Sequence, residues 1–355
     1  MNTFLPLSDP MQSPPAIIFS AVTISDMSSI IQRAEKKVIT KEKFHVIIDF
    51  MKYENFQLKM SDGKSNVIHQ WTPEVEPDFA VVLSHGMAEH ALRYEELASF
   101  ICENNGAIII EDHRGHGKTA EINGLPLGNP GKVNFKRCGE DIHEEILYAK
   151  QQFPGAKIVL MGHSYGSFVA QYVIENYGRE LDKAILLGTA GPRPFLIGGG
   201  KILAGLIKLF FGRDHTSMLL HNITFKPYNA KFKDAKTDSD WLSSDSLSVD
   251  IFKMDKMCGF VCSTGFMYNL VALLNYIHKP RNLKKISREL PIKIMCGAED
   301  PVGSFGKTVS RLAAIYCRMG IKDVSIKIYN GIRHELLEDK CRYDAINEII
   351  SFCKK

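Results

Sequence analysis

The sequence predicts an α/β protein, a mostly parallel β-sheet flanked by helices with one helical cap insertion. Three observations predict it. Short apolar runs recur without polar alternation, the pattern of strands buried on both faces. These runs alternate with helical stretches, as strand–helix–strand units do. The alternation stops once, over residues 191–278, and then resumes. Of the 355 residues, 45% are hydrophobic and 24% charged. That balance is globular and excludes a disordered chain, a fibrous repeat and a polytopic membrane protein. The charge, 44 − 40 = +4, is spread along the chain. With no basic run, nucleic acid is not an expected partner.

Residues 1–50 carry Pro6, Pro10, Pro14 and Pro15 and no sustained period. They are expected as a disordered N-terminal extension or the product of an upstream start, with at most a short helix at 30–37. Strands are predicted at 53–60 and 66–71, joined by the turn Ser61, Asp62, Gly63. A short apolar run at 79–83 precedes a loop. A helix at 93–105 should close at Gly106 as its C′ residue. A second apolar run follows at 107–110, a helix at 141–153 ends before Pro154, and a strand is predicted at 157–161. A helix at 167–177 closed by Gly178 and a strand at 183–187 complete the first part. After the insertion come a strand at 291–296, a helix at 307–319 stopped by Gly320, a strand at 324–329 and a helix at 343–353. The expected organisation is thus an extension (1–50), a core in two parts (51–190 and 279–355) and a cap between them (191–278).

The 8 cysteines are scattered. The one close pair, Cys258 and Cys262, lacks a second pair to complete a zinc site. Reduced thiols and a cytoplasmic location are expected. No run reaches the ~18 apolar residues that span a bilayer.

The strongest chemical signal is Gly162-His163-Ser164-Tyr165-Gly166. It lies between a predicted strand and a predicted helix, the setting that G-x-S-x-G requires. Ser164 must sit on a sharp turn, and side chains two positions to either side would clash there. A serine hydroxyl is a weak nucleophile and needs a base held by an acid. In this architecture the acid and then the histidine follow the serine in the chain. Asp300 follows the strand at 291–296, with Glu299 as an adjacent alternative, and His334 follows the last strand. Both fall at the C-terminal ends of strands, where such sheets place active sites. The oxyanion donors are assigned to the amides of Met87, after an early strand, and Tyr165. His85 is assigned to bonding loop backbone, and Glu335 and Glu338 to a helix N-terminus.

Residues 85–90 with Arg93 and Tyr94, residues 112–118, the Ser164 turn and residues 333–337 together resemble the monoacylglycerol lipase and lysophospholipase branch of the α/β-hydrolases. The resemblance runs from about residue 53 to 352. It implies a Ser–His–Asp esterase with a cap over its pocket and no metal or organic cofactor. It also implies that Glu89 and Arg93 stand near the alcohol end of the substrate, with a structural ion pair as the equal alternative. Residues 112–118 are expected as a structural loop.

Residues 201–211 of the insertion are expected as a helix preceded by Gly200, and a second helical stretch is expected near 266–276. Lys201 and Lys208 fall together, and apolar residues including Leu206 and Phe210 cover the rest. This helix is expected to line an acyl tunnel or touch a membrane surface, or else to be buried on the core. The expected activity is hydrolysis of a carboxylic ester of a monoacyl lipid through an acyl-enzyme. Alternatives are a carboxylesterase, thioesterase or acyltransferase with the same triad, or a non-catalytic lipid-binding protein.

Overall fold

The structure is a computed structural model that describes residues 51–355. The expected N-terminal extension and its short helix lie outside the described residues. Eight strands form one sheet in the order β1-β2-β4-β3-β5-β6-β7-β8. They are β1 (Met51–Lys59), β2 (Ser65–Pro73), β3 (Phe79–Ser84), β4 (Gly106–Glu111), β5 (Lys157–His163), β6 (Lys183–Leu187), β7 (Ile292–Gly297) and β8 (Val324–Tyr329). β2 pairs antiparallel with β1 and β4, and every other pairing is parallel.

The central strands are apolar along most of their length because both faces of the sheet are covered. Val82, Ile109 and Leu160 belong to one core cluster, with Ile142 and Ile146 of α3 (Phe135–Gln152) and Val169 and Val173 of α4 (Tyr165–Tyr177). Their neighbours Val81, Ile108 and Val159 point the other way. They join Leu97 and Ile101 of α1 (Glu95–Glu103) and Ile346 and Ile349 of α11 (Arg342–Lys354) in the second cluster. Each such side chain contributes about 1.5–3 kcal/mol by leaving water. The helix α10 (Lys307–Arg318) packs on β7 and β8, and Gly320 beyond it has φ +86°.

Two helix endings differ from expectation. After α1 the left-handed residue is Asn105, with φ +58°. Gly106 opens β4, where a Cβ would overlap the ring of Phe79. Gly178 has φ −61° and continues α4 into a 3-10 turn, Gly178–Glu180. The helix expected at 141–153 starts earlier, capped by the Asn134 side chain on the Lys136 amide at 2.9 Å. The short helix α2 (Gly117–Ile122) was not anticipated.

Between β6 and β7 the chain forms α5 (Pro194–Phe211), α6 (Met218–Phe225), α7 (Ser246–Met254), α8 (Thr264–Ile277) and α9 (Pro280–Leu283). α6, α7 and α9 were not legible in the sequence. α8 packs on α3, α4 and α5. α5 is longer than expected because Gly198, Gly199 and Gly200 lie inside it. Gly200 and Gly205 face Val271 and Tyr268 of α8, and Lys208 places its Nζ 3.5 Å over the Tyr268 ring. At 18 residues the helix is long and apolar enough, by length and composition, to cross a membrane. No single apolar run had suggested this.

Candidate active site

The chain leaves β3 for β4 on one side, and β5 lies on its other side. The loops after β3 and β5 therefore part at a topological switch point, where open α/β sheets hold their ligands. Ser164 stands there between β5 and α4, with φ +51° and ψ −118°. For a residue with a Cβ this backbone is strained. The flanking glycines show why the turn needs them. A Cβ on Gly162 would overlap the Gly166 carbonyl, and one on Gly166 would overlap the Ser84 carbonyl. The Ser164 amide is anchored to the Leu187 carbonyl at 3.0 Å. Tyr165 opens α4, so its N–H is one of the first-turn donors a helix leaves free.

Asp300 follows β7 and is fully buried. Its Oδ1 accepts from the Val302 amide at 2.8 Å and from His334 Nδ1 at 2.9 Å. Glu299 makes no such contact; its amide donates to the Ile332 carbonyl. Burial alone would push the His334 imidazole down. The Asp300 charge and hydrogen bond, helped by Glu335 and Glu89, instead hold it above the ordinary histidine value. His334 Nε2 is buried and has no hydrogen-bond partner, so the Ser164–His334 bond of an assembled triad is not made here. Such contacts often tighten only with substrate.

The loop after β3 is fastened from several sides. His85 Nδ1 donates to the Gly86 carbonyl at 2.7 Å, and its Nε2 accepts from the His113 amide at 3.0 Å. Its assignment to loop backbone is what the geometry displays. Ala88, at φ +56°, donates its amide to His116 Nε2 at 3.1 Å. Asp112 accepts from the amides of Ala91 (2.9 Å) and Lys118 (2.7 Å). Burial would raise its carboxyl, but His69, His85 and the Ala91 amide bring it to about 2. Met87 lies in the middle of this fastened loop.

Glu89 and Arg93 form a buried ion pair, completed by a partner that sequence reading had assigned to a helix N-terminus. Arg93 Nη1 lies 2.6 Å from Glu89, and both of its terminal nitrogens reach Glu335, at 2.8 and 2.9 Å. Glu335 itself precedes a 3-10 turn, Leu336–Glu338. Glu89 also accepts from the Gly86 amide, from Tyr94 Oη at 2.8 Å and from His163 Nδ1 at 3.1 Å. Burial opposes its charge, yet Arg93 and His163 hold the carboxyl well below its usual range. The cavity beside this cluster measures about 10 Å³. That is room for about one water, not for a glycerol group. Tyr94, His163 and Glu335 thus join the site without having been expected there. The adjacency of His163 to Ser164 and of Glu335 to His334 was the available signal.

Leu206 and Phe210 lie apart from these residues, on the outer face of α5, at 49% and 76% exposure. Cys258 of the C-x3-C pair lies beside His90 and Asp255, with donor atoms within 4.8 Å of one another. His90 and Asp255 are already hydrogen-bonded at 2.8 Å, joining the loop after β3 to the insertion.

A strained serine at a strand-to-helix turn, on a mostly parallel sheet with a buried His–Asp pair, defines the class of α/β-hydrolases. Residues 75–341 match the family described as "Serine aminopeptidase, S33" (Hydrolase_4), and the chain belongs to that family. It is 25% identical to the human monoglyceride lipase over 280 residues, 78% of this chain and 82% of the relative. It is likewise 25% identical to the monoacylglycerol lipase of Mycolicibacterium smegmatis over 303 residues, 82% of this chain and 93% of the relative. Among solved structures, the thermostable carboxyl esterase of Bacillus coagulans superposes with TM-score 0.78 at 27% identity, covering 84% of this chain and 97% of the esterase. The protein is an ester hydrolase of monoacylglycerol lipase-like type.

Proposed function

We propose that this chain hydrolyses the ester of a monoacyl lipid with an uncharged head group, at a lipid surface, through an acyl-enzyme on Ser164. The observation that carries the reading is the inverted polarity of α5. The helix turns Ile197, Ala204 and Ile207 inward together with Gly200 and Gly205. It leaves Phe195, Ile202, Leu206, Leu209, Phe210 and Phe211 facing outward. A water-facing helix would have the opposite arrangement. Such a face supports contact with acyl chains or a membrane surface.

In this mechanism His334 takes the Ser164 proton as Oγ attacks the ester carbonyl. The amides of Met87 and Tyr165 receive the oxyanion. His334, steadied by Asp300, then protonates the leaving alcohol, and water releases the fatty acid by the same route reversed. This chemistry calls for no metal or organic cofactor. The similarity to monoglyceride lipases favours a neutral glycerol head. The eight free cysteines support a reducing, cytoplasmic location, and the outward face of α5 supports one peripheral to membranes.

Purified protein should be assayed on long-chain monoacylglycerol, lysophospholipid and p-nitrophenyl esters of graded length, with and without an added alcohol. Preference for monoacylglycerol with release of free fatty acid is expected. Ester formation with the alcohol would assign an acyltransferase instead. A fluorophosphonate probe should label Ser164, and Ser164→Ala, His334→Ala and Asp300→Asn should each fold and lose most turnover, on the order of 10⁶-fold for serine or histidine and less for the acid. Full activity in Ser164→Ala would exclude the mechanism.

A further inference from the structure

The loop that carries His334 is bound to the insertion by one dense set of contacts. The ring of Trp241 lies 5.0 Å from the imidazole. The Glu335 amide donates to the Leu242 carbonyl at 2.8 Å. The Arg333 guanidinium donates to the carbonyls of Asp240 (2.7 Å) and Ser243 (3.1 Å) and stacks 4.1 Å over Phe232. At the centre lies Asp339, fully buried. Its carboxylate accepts from the Ser244 amide at 2.9 Å, from the Ser244 hydroxyl, and from the Arg333 amide at 3.1 Å. One side chain therefore ties the insertion to the residue immediately before His334.

This matters because Asp300 restrains the imidazole only at Nδ1. A ring held at one nitrogen by a residue on another loop can still tilt, and Nε2 must meet the serine within a fraction of an ångström. A misplacement of 1 Å can cost on the order of 10²-fold in rate. We propose that residues 240–244 and Asp339 form a positioning strap for the catalytic base, with Asp339 fixing the backbone before His334 and Trp241 bounding the face of its ring. The inference rests on the reading of His334 as the base. The strap and the outward face of α5 belong to different segments of the insertion, so α5 can engage lipid while the base stays in place.

Two variants separate positioning from charge. Asp339→Ala removes the hub together with a negative charge, whereas Ser244→Ala cuts one bond with no change of charge. Both should lower kcat with little change in KM for monoacylglycerol, about tenfold or more for Asp339→Ala and several-fold for Ser244→Ala. The groups that face His334 are Asp300, Glu335, Glu89 and the His163 ring, and both variants leave them in place. A loosened imidazole loses part of its Asp300 support. The acid limb of the kcat/KM profile should therefore move to lower pH in Ser244→Ala as well. Trp241 supplies a readout without substrate. Imidazolium quenches indole emission, so the pH-dependent emission that Trp241→Phe abolishes should shift its midpoint with the kinetic limb. Unchanged kcat, limb and emission midpoint in both variants, while Ser164→Ala and His334→Ala are inactive, would overturn the strap alone. Activity in Ser164→Ala or His334→Ala would overturn the reading of the site, and the strap with it.

Discussion

The double variant Leu206→Ser with Phe210→Ser tests the α5 surface. In the folded protein about half of Leu206 and three quarters of Phe210 remain open to water, at 49% and 76% exposure. Full burial of such a side chain contributes about 1.5–3 kcal/mol. Seating the exposed parts in lipid should therefore contribute about 1 kcal/mol for Leu206 and about 2 kcal/mol for Phe210. Together this is roughly a 100-fold change in partition. The same exposure means that neither side chain contributes much to packing, so the melting temperature should stay within a degree or two of the parent. Three measurements on one preparation check the reasoning: sedimentation with phosphatidylcholine vesicles, kcat/KM on long-chain monoacylglycerol, and kcat/KM on p-nitrophenyl acetate. The first two should fall steeply and the third should hold. An equal fall on both substrates with a lowered melting temperature would make α5 a strut and refute the lipid-facing reading.

Replacing Arg93 with Met leaves Glu89 and Glu335 buried without their cation and should cost about 3–5 kcal/mol by denaturant unfolding. Adding Glu335→Gln should recover part of that loss, and no recovery would contradict the pairing. Glu175 on α4 is buried with both carboxylate oxygens unpartnered, and burial pushes its pKa from 4.5 up to about 10. Its folded form thus holds a proton that the unfolded chain releases, and stability falls as pH rises from about 4.5 towards 10. Glu175→Gln should remove that slope, gaining up to about 3 kcal/mol at pH 7 and little at pH 4.5. Parallel stability–pH curves for the two proteins would exclude a neutral buried Glu175.

The sheet was readable because strands covered on both faces are apolar at most positions, and Gly, Pro and Asn punctuate them. Ser164 was readable for a steric reason. The turn that exposes its hydroxyl leaves no space for a Cβ at 162 or 166, so the constraint is written locally as two glycines. Asp300 and His334 followed from their places after late strands. The pairing of Glu335 with Arg93 could not be read in this way. The two lie 242 positions apart, and nothing in a residue's neighbours records what folds against it from that distance. The same holds for Asp339 and Ser244, which are 95 positions apart, and for the orientation of α5. Its period alone allowed the lysines or the apolar residues to face outward. Packing decided this, because the glycines and Ala204 let α5 approach α8, and that contact turns the apolar side to the exterior. Short-range sterics and burial periodicity are properties of a segment, whereas the partner of a charge or of a helix face is a property of the folded chain.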